Sequence, residues 1–115
     1  MALHATSMGK AFLASVGEDE ARVMLGQRLT RFTAATITDL DELMGEIRQI
    51  RASGYAVCRG ELELGSWGVA APVPNPRGEV IAFLCLWGPD GRGDDARLVA
   101  LGRLVQRAAR DLVCW

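Results

Sequence analysis

At Gly54 the hydrophobic pattern of this chain changes period, and that change dictates its fold class. Upstream, Leu40, Leu43, Met44, Ile47 and Ile50 recur at three- and four-residue spacing, which lines one face of a helix. Thr38 is placed to cap that helix, with Asp41 three residues on as a capping-box partner. Gly54 follows where a left-handed terminator belongs. Downstream the period becomes two. "YAVC", "WGVAAPV" and "EVIAFLCLW" read as strands, and "PNPRG" between the last two carries hairpin chemistry, since Pro sets φ and Gly permits positive φ. Pro72 removes a ladder donor and marks an edge or a bulge. "ELELG" alternates acidic and apolar residues, as a strand with one wet side or an irregular lip of the sheet would.

The remaining segments complete the order. "HATSMGKAFLA" runs into an apolar helix, and "GEDEARVMLG" has an acidic first turn that favours a short second helix. "RLTRFTAATI" is Thr-rich without a lasting period and reads as a loop. After "GPDGRG" a final helix is expected from Asp94 towards Cys114, with Leu98, Leu101, Val105, Ala108 and Leu112 as its stripe. Helices, then three mostly antiparallel strands, then one long helix make an α+β domain. Three short strands form a thin sheet, so further strands are expected from outside this chain.

Composition excludes several function classes. The 115 residues suffice for one domain with a real core. A formal net charge of -1 without blocks of like charge offers no nucleic-acid or membrane-surface face. No run is long enough to span a bilayer and none reads as a leader, so a cytoplasmic location is the expectation. Cys58, Cys85 and Cys114 are odd in number and lie in apolar stretches, which suits thiols rather than a disulfide framework. With His4 as the one histidine and no C-x-x-C, no metal site or cofactor is expected.

Residues 4–14 hold the most suggestive chemistry. A phosphate loop needs Gly-x4-Gly-Lys-Ser/Thr, but His4 stands at the first glycine and Ala11 at the hydroxyl position. That reading fails. Thr6 or Ser7 can simply cap the helix. The same geometry also leaves the amides of Ser7, Met8 and Gly9 at the positive end of the dipole, where a carboxylate fits without a charged side chain. Candidate walls are Cys85 and Trp87, which share a strand face with Phe83 behind them, together with Cys58 and Gly68. Each has a structural alternative: a core cysteine, an edge-covering tryptophan, a bulge glycine.

"LHATSMGKAFLA", "RFTAATITD", "IRASGYAV", "ELELGSWGVAAPV", "GEVIAFLCLWGP" and the closing helix together resemble the effector-binding domain of IclR-type bacterial transcriptional regulators, across essentially all of residues 1–115. The resemblance implies a GAF-like antiparallel sheet with helices packed on it, whose N-terminal strands are absent from this chain. It implies a small-molecule effector, often a carboxylate, and homo-oligomers, either dimers or tetramers. DNA would be bound only through a winged helix-turn-helix not included here. By position, the effector-binding residues would be Ser7, Met8, Cys58, Gly68, Cys85 and Trp87. Family members that bind small keto acids tend to carry a carboxylate-bearing residue at the position of Cys58 and serines at those of Cys85 and Trp87. This pocket therefore offers fewer donors and one aromatic wall, which suits a flat or aromatic acid better than a two- or three-carbon one.

Two rival readings follow from the same residues. Trp87 could fill the pocket and leave an oligomerisation module, with Arg97, Arg103, Arg107 and Arg110 beside the last helix's stripe as a contact or a solvated face. Alternatively Cys58, with His4 or Cys85, could serve a thiol enzyme or a redox sensor. The resemblance itself implies no catalytic residue.

Overall fold

The structure, a computed structural model, describes residues 2–89 and 95–112. Helix α1 spans Ser7–Ser15, α2 Glu18–Leu25 and α3 Leu40–Ser53. Strands β1 (Ala56–Arg59), β2 (Trp67–Pro74) and β3 (Val80–Gly88) follow, and α4 (Asp95–Asp111) closes the chain. The strands form one antiparallel sheet in the order β1-β2-β3. The chain is α+β, as the change of period requires.

Alternation along β2 assigns the two sheet faces. Val69, Ala71 and Val73 point towards α4 and pack with Val105, Ala109, Leu84 and Leu101. Ala70 points the other way, with Ala56 of β1 beside it, and packs against Ala11 of α1 and Ile50 of α3. β2 is thus buried on both faces. A further apolar cluster joins Leu13 of α1, Ala21 of α2 and Leu43, Met44 and Ile47 of α3, and so fixes the helical layer above the sheet. Full burial of a side chain such as Leu43 is worth about 1.5–3 kcal/mol.

Local chemistry explains the boundaries. The α3 stripe buries Leu43, Met44, Ile47 and Ile50, and Gly54 ends the helix at φ 87, its amide bonding Ile50 O. The cap itself is corrected by one residue: Asp39 accepts from the Asp41 amide, while the Thr38 hydroxyl accepts from Arg31. Asp39 also brings a negative charge to the positive end of the dipole. In α4 the buried residues are Leu98, Gly102, Val105 and Ala109. Ala108 and Leu112, expected on the stripe, are exposed because the true face turns one residue on. The expected helix ends at Asp94 and Cys114 lie outside the described residues. Residues 60–66 form an irregular lip rather than a strand. Pro72 lies on the central strand but beyond Ala70, the last β2 residue that β1 reaches, and a bulge follows at Val73/Pro74. The missing ladder donor therefore sits where the sheet is only two strands wide.

Candidate functional site

The N-terminus of α1 lies against the sheet where β2 has its glycine. A Cβ on Gly68 would stand 2.7 Å from Ser7 Oγ and 3.7 Å from Trp87 Cβ, so only glycine lets the helix end settle there. Register completes the grouping: Gly68 pairs with Cys58 on one side and with Trp87 on the other, and Cys85 lies two residues along β3 on the same face. The structure thus brings Ser7, Cys58, Gly68, Cys85 and Trp87 to one corner, with Met8 half-exposed on the first turn above it.

Capping settles which amides are available. Thr6 is the cap, and its hydroxyl accepts from the Gly9 amide at 3.0 Å. Gly9, expected among the open donors, is therefore already paired. The amides of Ser7 and Met8 have no hydrogen-bond partner among the described residues, and neither has the Ser7 hydroxyl. These three donors stand at the positive end of α1.

The walls differ from one another in what they can offer. Cys58 is buried, and its thiol donates to Ala5 O at 3.1 Å. Desolvation, together with the nearby Glu61 carboxylate and despite the Lys10 charge, pushes its pKa up to about 12. Cys58 is an inert wall and not a nucleophile. His4 is engaged elsewhere, with Nε2 2.7 Å from Thr30 O and its ring stacked on Phe32. Cys58 and Cys85 are separated by β2 and offset by two residues along it, more than about 9–10 Å at ordinary strand spacing, which is beyond disulfide reach. The thiol-enzyme and disulfide-sensor readings therefore lose their geometry. Trp87 is 74% exposed. An indole so exposed does not plug the corner; it stands beside the open donors as a free aromatic face.

One turn into α1, Lys10 is fully buried and donates to Glu46 of α3 and Glu61 of the lip at 2.6 Å each. Burial alone would lower its pKa, but the two carboxylates outweigh that and hold it above the usual lysine value. Glu61 is fixed in turn by Thr36, whose hydroxyl donates to Glu61 O. Lys10 is consequently a strut beneath the helix end rather than an anion ligand. Reading the sequence missed this triad, because Glu46 and Glu61 lie 36 and 51 residues away from Lys10. No local spacing encodes that meeting.

A separate open groove of about 890 Å³ wraps the outer edge of β1, lined by Glu42, Gly45, Glu46, Ile50, Tyr55 and Val57 among others. It includes none of the six expected effector positions. No group of three or more His, Cys, Asp or Glu among the described residues could hold a metal ion. No described helix is long and apolar enough to cross a membrane.

Comparison with known proteins supplies the lineage. The family described as bacterial transcriptional regulator IclR, C-terminal, matches residues 1–114. This chain belongs to the IclR family. It is 43% identical over 112 residues to the HTH-type transcriptional regulator BhcR of Paracoccus denitrificans, covering 96% of this chain and 40% of that protein. The C-terminal domain of the Escherichia coli regulator KdgR superposes with a TM-score of 0.81 at 33% identity, covering 96% of this chain and 68% of that one. The inducer-binding domain of Acinetobacter PobR, a double mutant in complex with 3-hydroxybenzoic acid, gives a TM-score of 0.85 at 30% identity, covering 96% of this chain and 64% of that one. The IclR family and these relatives are regulators of transcription, not enzymes. This chain spans less than half the length of the curated relatives it matches.

Proposed function

We propose that residues 1–115 form the effector-sensing domain of a transcriptional regulator and bind a small, flat organic acid at the α1–β3 corner. The observation that carries this reading is the pair of unspent amides at Ser7 and Met8 beside an exposed indole. A carboxylate accepts from both amides and from the Ser7 hydroxyl, and an aromatic body lies on Trp87 with Cys85 below it. Cys58 and Gly68 shape the floor without offering a free donor. The PobR complex supports an aromatic acid as the ligand class, because its domain shares this fold and aligns over nearly the whole chain. A winged helix-turn-helix elsewhere in a longer protein would carry the DNA contact, and occupancy of this corner would bias it.

Titration calorimetry with 3-hydroxybenzoate, benzoate and pyruvate tests the reading. The aromatic acids are expected to bind and pyruvate to bind more weakly. In Met8→Pro, which removes one amide at the second helical position, affinity should fall about tenfold or more, since a hydrogen bond to a charged group is worth about 1.5–3 kcal/mol. Equal affinity for the wild type and this variant would overturn the amide site, and absence of binding by every carboxylate tried would overturn the sensor.

A further inference from the structure

On the α1 face of β3 the side chains run large, small, large: Trp87, Cys85 and Phe83. Helix α1 lies alongside them. Its first residue sits over Gly68 and Trp87, since a Cβ on Gly68 would stand 2.7 Å from Ser7 Oγ and 3.7 Å from Trp87 Cβ. Further along the helix Phe12 meets Phe83 edge to face, with ring centroids 6.0 Å apart and an interplanar angle of 71°. Met8, four residues before Phe12, shares its side of the helix. Phe83 is held from below, where it and Cys85 pack on the cluster of Ala11, Ile50, Ala56 and Ala70. The ring pair thus closes the strip between α1 and β3 at its inner end. The open donors and Trp87 stand at the outer end.

We propose that Phe12 and Phe83 are specificity-determining residues that limit the effector to a single-ring acid. The inference rests on the effector corner proposed above and says what that corner excludes. Trp87 and Phe83 are two same-face steps apart on β3, about 13–14 Å at ordinary strand rise. Their side chains take up part of that interval, and Cys85 is the one short side chain between them. On the helix side, Met8 precedes Phe12 by about 6 Å along the axis. A carboxylate held by the first-turn amides therefore has room for one ring before its far edge reaches Phe12 and Phe83. A second fused ring meets carbon already packed on carbon, and packing of that density gives way only at a cost. The wall carries no polar atom, so it selects by shape alone.

Titration calorimetry of the 115-residue chain with benzoate and 2-naphthoate is the test. The wild type should bind benzoate more tightly by about tenfold or more, the scale on which pocket shape discriminates between apolar bodies. Phe83→Ala should erase that preference with circular dichroism unchanged, whereas Phe83→Leu, which keeps most of the bulk, should retain it. Phe12→Ala removes the same wall from the helix side and should also erase it, so the test survives if Phe83→Ala fails to fold. The ratio of the two affinities is the readout, because a residue that only supports the fold lowers both together. Equal or tighter binding of 2-naphthoate by the wild type would overturn the size limit. A preference that persists in both alanine variants, or a parallel loss of both acids, would overturn it too. Binding of neither acid by the wild type would instead overturn the effector corner, and the limit with it.

Discussion

Two successive turns of α1 treat their polar groups in opposite ways. At the first turn, the Ser7 and Met8 amides and the Ser7 hydroxyl have no partner among the described residues. At Lys10, one turn later, a fully buried charge is matched by two carboxylates at 2.6 Å. Burying a charge is tolerable only when it is paired, so the Lys10 turn has to be closed. At the first turn Met8 is exposed while Ser7 is buried, and the turn's donors are left for a small polar partner to satisfy. The contrast separates a scaffold group from the candidate site within one turn of helix. It teaches that the lysine of the "GK" pair, the eye-catching residue in the sequence, belongs to the scaffold, and that the plain peptide nitrogens before it are the groups left open at the proposed site.

The largest expected effect breaks the closed triad at Lys10. Lys10→Ala removes the partner of two carboxylates and should cost about 3–5 kcal/mol in urea unfolding. Lys10→Met combined with Glu46→Gln and Glu61→Gln should recover much of that loss, because no charge then remains without a partner. If the single variant is as stable as the wild type, the triad is not the strut described. A smaller effect belongs to the cap: Thr6→Ala removes it and should cost about 1 kcal/mol in the same experiment. It also frees the Gly9 amide, so carboxylate affinity should hold or rise while stability falls. Parallel loss of both would mean that the cap and the site are one feature.

The buried Lys10 and Cys58 also set the pH response. Lys10 sits above its unfolded value of 10.5, so its contribution is complete below that value and fades as pH rises through the higher folded one. Cys58 is raised from 9.0 to about 12 and has the same sign, so its loss starts near pH 9. Urea midpoints should therefore hold from neutral pH to about 9 and decline above it. A flat profile to pH 11 would contradict both assignments. The smallest effect is chemical: at pH 8, iodoacetamide should modify Cys85 well before the buried Cys58, read by peptide mass mapping. Reaction at Cys58 first would reopen the thiol reading.

Much of the fold was legible because its signals are local. The α3 stripe, the Gly54 terminator, the hairpin at "PNPRG" and the three strands all follow from periodicity and turn chemistry, and the structure has them. The misplaced details are one-residue matters, such as Asp39 for Thr38 or Ala109 for Ala108, where neighbouring residues satisfy the pattern almost equally well. The candidate corner was legible in part. Strand alternation put Cys85 and Trp87 on one face, but the resemblance, not the spacing, linked them to Ser7 and Met8. Non-local pairings stayed hidden. Nothing near Cys58 in sequence announces Ala5 O as its acceptor, and nothing near Lys10 announces Glu61.

Amide chemical shifts of the nitrogen-15-labelled chain, followed as 3-hydroxybenzoate is added, test the central claim most directly. Ser7 and Met8 should show the largest saturable shifts, with the Trp87 indole moving alongside and Gly9 moving little. Shifts concentrated instead around Glu42, Gly45 and Tyr55 on the β1-edge groove, with Ser7 and Met8 unmoved, would contradict it.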